Sequence, residues 1–462
     1  MIYYISQQIH QPATLIKDTM KQLEFQAIKG VKVEAKFDTP EMTSDFGTVL
    51  LREIENNTSI ISNFSSAIDD RRHQSYTDHS VNDIISQRVY QICQGYEDAD
   101  DCDHFRGDAA FKTAVGRHPE LDGDLSSQPT MSRLENKATV RDLLRCGYTL
   151  VENYLNTFSQ APKSIVLDMD PTSSHCHGHQ QMMLFNAYED EYCLMPFHVY
   201  DGLNGKLITT VIRPGKTPLA GEIISVLKRI IKRIRERFPK VLIIFRADSH
   251  HSKPEVHEWC EENRVDFVIG QSPNSVLDRK FKFAIEQAKL KYKNIGSRAC
   301  RYYASGYYQA STWAKPRRVV CRIIVSSSKV VDTRYIVSSF ENTGATYLYN
   351  TIYSGRGNAE LYIKDHKNAL HSDRTSCHKA TANQFRLFLH SAAYQVMYAL
   401  RENILKGTKL ANAQFDTIRL RLLKVAAQVK VLKTKIIFHL PQHFPMQEIY
   451  IKAVKLFTEI RI

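Results

Sequence analysis

The pattern of apolar and polar residues changes at about residue 164. Before that point, alternation over 31–37 predicts a half-buried strand, and apolar residues then recur at helical spacing over 81–92. Ser80 and Asp83 precede this helix with the spacing of a capping box. Residues 1–160 are therefore predicted to form a mostly helical N-terminal region.

The segment SSQPTMSRLEN predicts a further short helix in this region. Ser127 or Gln128 can cap it, and Pro129 suits its first turn. Arg133 would then face outward, where an arginine side chain can bond to base edges in a DNA major groove. This interpretation makes Arg133 a candidate DNA contact and 1–160 a DNA-binding region. An ordinary helix in a bundle explains the segment equally well.

From Ser164 the sequence takes on the pattern of an α/β core. Buried strands are predicted in SIVLDMD, YCLMPFHVY and KLITTVIR, followed by a long basic amphipathic helix, GEIISVLKRIIKRIRERF. A fourth strand, VLIIFRAD, a helix and a fifth strand, VDFVIG, complete residues 161–271. The order is compatible with a mixed sheet whose first and fourth strands are parallel neighbours, because a helical crossover joins them.

Two aspartates stand where these parallel strands end. Asp170 lies at the end of the first strand and Asp248 just after the fourth, so both carboxylates are expected at one edge of the sheet. A divalent cation such as Mg²⁺ or Mn²⁺, which prefers oxygen ligands, would relieve their repulsion. Asp168 shares the strand face of Asp170 and is its rival for the first position. Each aspartate alone is also a common turn or cap residue.

Residues 272–345 depart from the alternation of strands and helices. The runs YYASGYYQ, VVCRIIVSS and TRYIVSSF predict antiparallel strands, which we interpret as an inserted β subdomain. Its STWAKPRR segment offers Trp313, Arg317 and Arg318 as candidate DNA contacts through stacking and phosphate pairing. A packed aromatic residue in a hairpin beside a solvated basic turn is the alternative interpretation.

The run YSGRGNAELYIKDHK carries the most informative spacing of the chain. On a regular α-helix, four of its side chains fall within an arc of roughly 60°. They are Tyr353, Arg356, Glu360 and Lys367. These side chains either form an exposed salt-bridged surface or complete a site with the two aspartates. Residues 346–380 thus supply a candidate catalytic helix, and 381–462 are predicted to form a helical C-terminal region.

Composition and charge narrow the class of protein. The 462 residues include 62 lysines and arginines against 49 acidic residues, and the resulting net charge of +13 suits a polyanionic partner such as nucleic acid. The nine cysteines are scattered singly, as in reduced cytosolic proteins. Neither a secretory signal nor a membrane span is recognised, so we expect a cytoplasmic protein.

A histidine-rich cluster, His175, Cys176, His177 and His179, is a further candidate ligand set. Structural zinc sites draw paired ligands from two separated segments, and no second cluster of matching spacing occurs in the sequence. Polar surface is therefore the favoured interpretation of this cluster, and zinc binding the less favoured one.

The acidic residues and the spacing around Glu360 resemble a known family. DPT at Asp170, RADS at Asp248 and the pattern Y-x2-R-x3-E-x6-K are similar to the cut-and-paste DDE transposases of bacterial insertion sequences. Four further stretches share the resemblance: QICQGYEDADD, SQPTMSRLEN, ANQFRLFLHSAAY and TIRLRLLK. The resemblance extends over roughly residues 30–440.

This resemblance implies an RNase H-like core, interrupted by the β insertion and completed by the catalytic helix. The implied ligands of two Mg²⁺ ions, for which Mn²⁺ may substitute, are Asp170, Asp248 and Glu360. The implied contacts near the terminal phosphate of the DNA are Tyr353, Arg356 and Lys367. Trp313 lies in the insertion, where such enzymes place an aromatic residue that stabilises a DNA hairpin.

The resemblance also implies an activity and its partners. It implies metal-dependent excision at terminal inverted repeats through a hairpin intermediate, and strand transfer into target DNA. A homodimer would hold both ends in a synaptic complex, with 381–462 binding DNA ends or forming the dimer. Two alternatives stay open. One is a catalytically silent or domesticated DNA-binding protein of the same fold, which the presence of all three acids disfavours, and the other is a metal-dependent nuclease without strand transfer.

Overall fold

The structure is a computed structural model and describes residues 22–295 and 299–460. Its strands are β1 (Gln22–Ile28), β2 (Val31–Lys36), β3 (Met42–Thr43), β4 (Ser164–Pro171), β5 (Ser174–His175), β6 (Leu184–Asn186), β7 (Glu191–Leu194), β8 (Phe197–Asp201), β9 (Leu207–Val211), β10 (Leu242–Ala247), β11 (Asp266–Gln271), β12 (Cys300–Tyr308), β13 (Arg317–Val325), β14 (Val331–Ser338), β15 (Ala427–Leu432) and β16 (Lys435–His439).

The α-helices are α1 (Gly47–Thr58), α2 (Ile60–Ser66), α3 (Val81–Gln94), α4 (Asp101–Phe105), α5 (Ala109–Val115), α6 (Gln128–Lys137), α7 (Val140–Asn156), α8 (Ala220–Arg237), α9 (Pro254–Glu262), α10 (Ser275–Lys280), α11 (Lys282–Ile295), α12 (Ala345–Tyr347), α13 (Gly357–Lys364), α14 (Ala380–Leu400), α15 (Phe415–Ile418) and α16 (Gln447–Ile460). No helix of the described ranges is long and apolar enough to cross a membrane.

A mixed sheet of eight strands lies at the centre, in the order β12-β13-β14-β11-β10-β4-β8-β9. β10 runs parallel to both β4 and β11, and the other neighbours in the sheet are antiparallel. The predicted parallel pairing of the first and fourth core strands, β4 and β10, is therefore confirmed. The basic helix α8 buries its apolar stripe in the same core as β4 and β10, as its amphipathic pattern predicts.

The segment YCLMPFHVY, predicted to be one strand, forms two. β7 ends at Leu194 and β8 begins at Phe197. Pro196 lies between them and lacks the amide hydrogen that a sheet ladder requires. β7 instead pairs with β5 and β6 in a small separate sheet.

The predicted antiparallel strands of residues 272–345 are present, and they extend the central sheet. β14 pairs along β11, so β12, β13 and β14 continue the central sheet. The helices α10 and α11 precede them and pack through Leu277 and Ala288 into the same apolar core. The open edge of β11 supplies the backbone partners that an isolated three-stranded meander would lack.

The helical regions predicted before residue 160 and after residue 381 share one core. α14 is buried along nearly its whole length, and helices α1, α2, α3 and α7 pack around it. Phe64 of α2, Val89 of α3 and Phe385 of α14 belong to this core. A helix that is apolar on every side needs such a complete covering.

The predicted capping box of α3 is confirmed, since the Ser80 side chain accepts from the Asp83 amide and Asp83 accepts from the Ser80 amide. The predicted strand over 31–37 is also present as β2, but its half-buried face is not. Within the described residues β2 pairs with β1 alone, and Phe25 and Val31 are 56% and 67% exposed. Residues 1–21 of the predicted N-terminal region lie outside the described residues.

The C-terminal region, predicted to be helical, is helical only in part. α15 and a π-helical turn, Arg419–Leu423, give way to β15, which pairs with β3 and β16. Arg419 donates to the carbonyl of Cys93 at 2.8 Å, and Lys424 pairs with Asp45 at 2.6 Å. These contacts attach the C-terminal region to the N-terminal helices.

Gly47→Ala should destabilise the chain by roughly 1–3 kcal/mol, the usual cost of overpacking. A Cβ atom at Gly47 would lie 2.3 to 2.8 Å from backbone atoms of Leu423, which cannot move aside as a side chain can. Urea unfolding measures the change. Gly221→Ala is the matched control, because open space surrounds Gly221 in α8 and alanine favours a helix. Equal stability of the two variants would contradict the predicted clash.

Candidate active site

Asp170 and Asp248 lie where the sequence places them, at the ends of two neighbouring parallel strands. Asp170 is the penultimate residue of β4, and Asp248 follows β10 directly. Asp248 caps a 3-10 turn, accepting from the amide of His250 at 3.0 Å, and its Oδ1 lies 2.8 Å from Nδ1 of His251. The parallel pairing thus brings two carboxylates from distant sequence positions to one edge of the sheet.

The two carboxylates have pKa values shifted in opposite directions. Burial raises the pKa of Asp170 to about 7, and the charges of Asp248, Asp168 and Glu360 add to this, while Arg356 opposes it. Burial also acts to raise the pKa of Asp248, but the hydrogen bond to His251 and nearby positive charges outweigh it and lower the pKa to about 2. One carboxylate is thus strongly anionic and the other holds its proton readily.

The carboxylate of Asp168, the alternative to Asp170 as the first acidic residue of the site, is bound by an arginine. Its two oxygens accept from Nε and Nη2 of Arg246 at 2.5 and 2.6 Å, and both side chains are almost fully buried. A carboxylate held in this bidentate manner has little capacity left for another ligand. The structure therefore assigns Asp168 to an internal ion pair and leaves Asp170 at the site.

Sequence reasoning missed Arg246, although it stands in the RADS motif. Its Nη1 also donates to the carbonyl of Ile352 at 2.5 Å, just before Tyr353. A Cβ atom at Gly202 or Gly355 would lie 2.3 or 2.5 Å from a guanidinium nitrogen of Arg246, so both positions require glycine. Arg246 thereby attaches the beginning of the predicted catalytic helix to β4 and β10.

The run from Tyr353 to Lys367 is not one regular α-helix, and the predicted arc of 60° is wrong. A π-helical segment, Leu348–Tyr353, a 3-10 turn, Ser354–Arg356, helix α13 and a second π-helical segment, Asp365–Ala369, follow one another. A rotation of about 100° per residue does not hold across such changes.

Two of the four side chains of the Y-x2-R-x3-E-x6-K pattern, Arg356 and Lys367, nevertheless contact Asp170 or residues close to it in the chain. Arg356 lies 3.2 Å from Asp170 and does not pair with Glu360, so the alternative of a salt-bridged helix face is not found. Lys367 donates to the carbonyl of Ser173 at 2.7 Å, three residues beyond Asp170. Tyr353 hydrogen-bonds to Arg356, and burial raises its pKa.

Glu360 lies on an exposed position of α13 and forms no ion pair with any residue of the described ranges. Its charge nonetheless contributes to the raised pKa of Asp170, so Glu360 lies within electrostatic reach of Asp170. Its predicted role as the third ligand stays a prediction.

The acidic residues fit divalent cations in kind. They offer hard oxygen donors, and the pKa of Asp170 is raised by burial first and by the charges of neighbouring acids second. As the side chains lie, no three histidines, cysteines or acids within 22–295 and 299–460 are grouped to hold a metal ion. The donor chemistry is therefore present, while a closed ligand geometry is not.

Three predicted DNA contacts are buried inside the protein, which corrects their assignment. Trp313 is 6% exposed and packs against His257, and Arg317 pairs with Glu261 at 2.8 Å. Arg318 donates to three backbone carbonyls, of which that of Phe340 lies at 2.6 Å. Arg317 and Arg318 begin β13, which pairs with β14 in the central sheet, and Trp313 lies in the turn before β13 and packs into the same core. Arg133 of α6, another predicted DNA contact, is exposed.

Two polar cavities lie beside residues of the candidate site, and the sequence indicated neither. One cavity of about 520 Å³ opens beside Asp248 and Arg356 and is lined by Arg322 of β13 and Arg334 of β14. The other, of about 730 Å³, lies beside Lys367, between the histidine-rich cluster and residues 371–378. Within that cluster, His175 forms an ion pair with Glu191.

Comparisons with known proteins agree with these observations. A family model described as transposase DDE domain group 1 matches residues 25–461, which is nearly the whole chain. No curated protein matches the sequence. Among solved structures, seven chains match. One of them is a piggyBac transposase synaptic complex with hairpin DNA, with 12% sequence identity and a TM-score of 0.42, over 83% of this chain and 80% of that chain.

Arg246→Met should destabilise the chain by roughly 3–5 kcal/mol, because it leaves the buried carboxylate of Asp168 without a partner. The double variant Asp168→Leu with Arg246→Met removes both charges and should recover most of that loss. Urea unfolding gives both values. Lys289→Met removes an exposed pair with Glu286 and should change stability by less than about 1 kcal/mol. A double variant as unstable as Arg246→Met would contradict the interpretation.

Asp170→Asn should stabilise the chain increasingly as the pH rises from about 4 to about 7, measured without divalent cations. The raised pKa of Asp170 means that the native state keeps a proton which the unfolded state has already released, so the stability of the native chain falls across this range. The difference in the free energy of unfolding should grow by up to ~4 kcal/mol.

Asp248→Asn serves as the control for this pH dependence. The lowered pKa of Asp248 confines its effect on the slope to pH values below its usual range, so its variant should show no trend between about pH 5 and pH 7. Parallel curves for Asp170→Asn and the native chain would show that Asp170 is not the group that titrates.

Proposed function

The chain belongs to the family described as transposase DDE domain group 1 and is a transposase, and from this premise we propose how it acts on DNA. We propose metal-dependent excision of a mobile element at its terminal inverted repeats, followed by strand transfer into target DNA. The observation that carries the proposal is the meeting of Asp170 and Asp248 at one sheet edge, with Arg356 against Asp170. Two carboxylates and a guanidinium in this arrangement suit phosphoryl transfer.

An RNase H-like core is the proposed architecture. The order β9-β8-β4-β10-β11 supports it, with three antiparallel strands followed by two strands that continue in parallel. The strands β14, β13 and β12 extend this core at its β11 edge. Asp170 and Asp248 then lie at the ends of two inner strands, β4 and β10, which have neighbouring strands on both sides.

Asp170, Asp248 and Glu360 are the proposed ligands of two divalent cations, Mg²⁺ or its substitute Mn²⁺. Such ions, when bound, activate the attacking oxygen and stabilise the leaving oxygen. The electrostatics at Asp170 support this assignment, because a buried carboxyl beside other acids favours a cation. A bound phosphate would give Arg356 a second anionic partner with the bidentate geometry that guanidinium prefers.

The other signature residues are proposed to bind the DNA backbone. Lys367 is a point charge beside the polar cavity of about 730 Å³, and Tyr353 holds Arg356 at the edge of the cavity of about 520 Å³. Arg133 of α6 is exposed and is proposed to contact DNA outside the site. The net charge of +13 supports a polyanionic substrate.

Further features of the reaction are proposed on the resemblance alone. They are an origin in a bacterial insertion sequence, a hairpin intermediate at the element end, and a homodimer that holds two ends in a synaptic complex. A nuclease that does not join its product to target DNA would use the same acids, so the joining step needs its own measurement.

Glu360→Gln should lower cleavage of a labelled terminal-repeat duplex by at least about a hundredfold in Mg²⁺, because it removes a proposed anionic ligand. The variant should bind the duplex like the native chain. Gel analysis of nicked, hairpin and joined products separates cleavage from strand transfer. Glu402→Gln, in the π-helical segment after α14 and at a different cavity, is the control and should cleave normally. Undiminished cleavage and joining by Glu360→Gln would rule out its role.

A further inference from the structure

A buried network of hydrogen bonds joins the end of the catalytic segment to the strand beside Asp170. His198 of β8 stands directly opposite Asp170 in the register of β4 and β8, so the two side chains lie on the same face of the sheet. Nε2 of His198 lies 3.2 Å from Nδ1 of His366, which belongs to the second π-helical segment. Both histidines are fully buried.

The network continues from His366 into two further elements. Its Nδ1 lies 2.7 Å from the hydroxyl of Ser372, and its Nε2 lies 3.4 Å from the hydroxyl of Ser391 on α14. Ser391 in turn lies 2.9 Å from the hydroxyl of Thr210 on β9. One imidazole therefore connects β8, α14 and the loop after the π-helical segment.

Hydrogen bonding of this kind requires uncharged imidazoles, each of which has one donor and one acceptor nitrogen. Burial lowers the pKa of His198 to about 4, and burial together with the charges of His198 and His390 lowers the pKa of His366. Both rings are thus neutral at ordinary pH. The Ser391 hydroxyl donates to the carbonyl of Leu387 at 2.8 Å, so it is free to accept from Nε2–H of His366.

Three successive side chains of this segment bind three different parts of the protein. Asp365 accepts from Arg401 at 3.0 Å, His366 enters the network, and Lys367 donates to the carbonyl of Ser173. Ser173 follows Asp170 by three residues. The contact of His366 with His198 holds the residue next to Lys367, and the hydrogen bond to Ser173 holds Lys367 itself. Together these contacts determine the position of Lys367 relative to Asp170.

We propose that His366 is a positioning residue for the DNA reaction, which fixes Lys367 relative to Asp170 through its contacts with His198 and Ser372. This proposal rests on the proposed function of the site. His366 touches neither substrate nor reacting atoms on this view, and acts through Lys367. The proposal explains why a polar network, rather than apolar packing, is buried between β8 and α14.

The test is a double-mutant cycle between His366 and Lys367, measured as cleavage of the terminal-repeat duplex at saturating DNA in Mg²⁺. His366→Phe keeps a ring and loses the hydrogen bonds, and should lower the cleavage rate at least tenfold with DNA affinity within about twofold of the native value. In a Lys367→Gln background the same change should cost less than about threefold. His366→Asn, which keeps a polar group near the position of Nδ1, should recover part of the rate.

His257→Phe is the matched control. His257 is equally buried, but lies on α9 against Phe267 and Trp313, away from the segment of Lys367. The fold-reductions in cleavage rate caused by His257→Phe and by Lys367→Gln should multiply in the double variant. Thermal unfolding checks that each variant folds, and Ser372→Ala, a smaller change in the same network, should show the same coupling to Lys367 if His366→Phe does not fold.

The outcomes separate the two proposals. Full multiplication of His366→Phe or Ser372→Ala with Lys367→Gln, in an enzyme that cleaves, would overturn the positioning role and leave the proposed function intact. A native chain that binds the duplex in Mg²⁺ without cleaving it would overturn the proposed function, and the positioning role with it.

Discussion

The buried ion pair between Asp168 and Arg246 is the interaction on which the site depends. It connects two parallel strands, β4 and β10, immediately before the residues that carry Asp170 and Asp248. The same guanidinium holds the carbonyl of Ile352. Burying two charges is costly unless their hydrogen bonds are nearly complete, and this pair meets that condition with contacts to backbone carbonyls as well as to each other. One group therefore holds the ends of both strands and the segment that leads into Tyr353.

Around this pair, the site divides positive and negative charge unevenly. Arg356 pairs with Asp170, and His251 hydrogen-bonds to Asp248, yet burial keeps the pKa of Asp170 far above that of an ordinary carboxyl. A buried carboxyl beside other acids is suited to bind a cation. The chain changes between π-helix, 3-10 turn and α-helix from residue 348 to residue 369. These changes direct Asp365, His366 and Lys367 to three different partners.

The order of the core strands and the edge position of Asp170 and Asp248 could be predicted, because buried strands and crossover helices have strong local patterns. The capping box of α3 was predictable for the same reason. The inward direction of Trp313, Arg317 and Arg318 was not, since it depends on β14 pairing with β11, a strand more than sixty residues earlier in the sequence. The break at Pro196 had a local signal, yet the separate sheet of β5, β6 and β7 had none.

The sequence by itself determined the acidic residues, the spacing of Tyr353, Arg356, Glu360 and Lys367, and the family, because these are properties of residue identity and chain distance. Only the tertiary structure decided between Asp168 and Asp170. Two aspartates on one strand face are equivalent in a sequence pattern, and only the approach of Arg246 from the neighbouring strand distinguishes them. The tertiary structure also decided the burial of His366, the residue before Lys367. β8 and α14 pack against the π-helical segment that carries it.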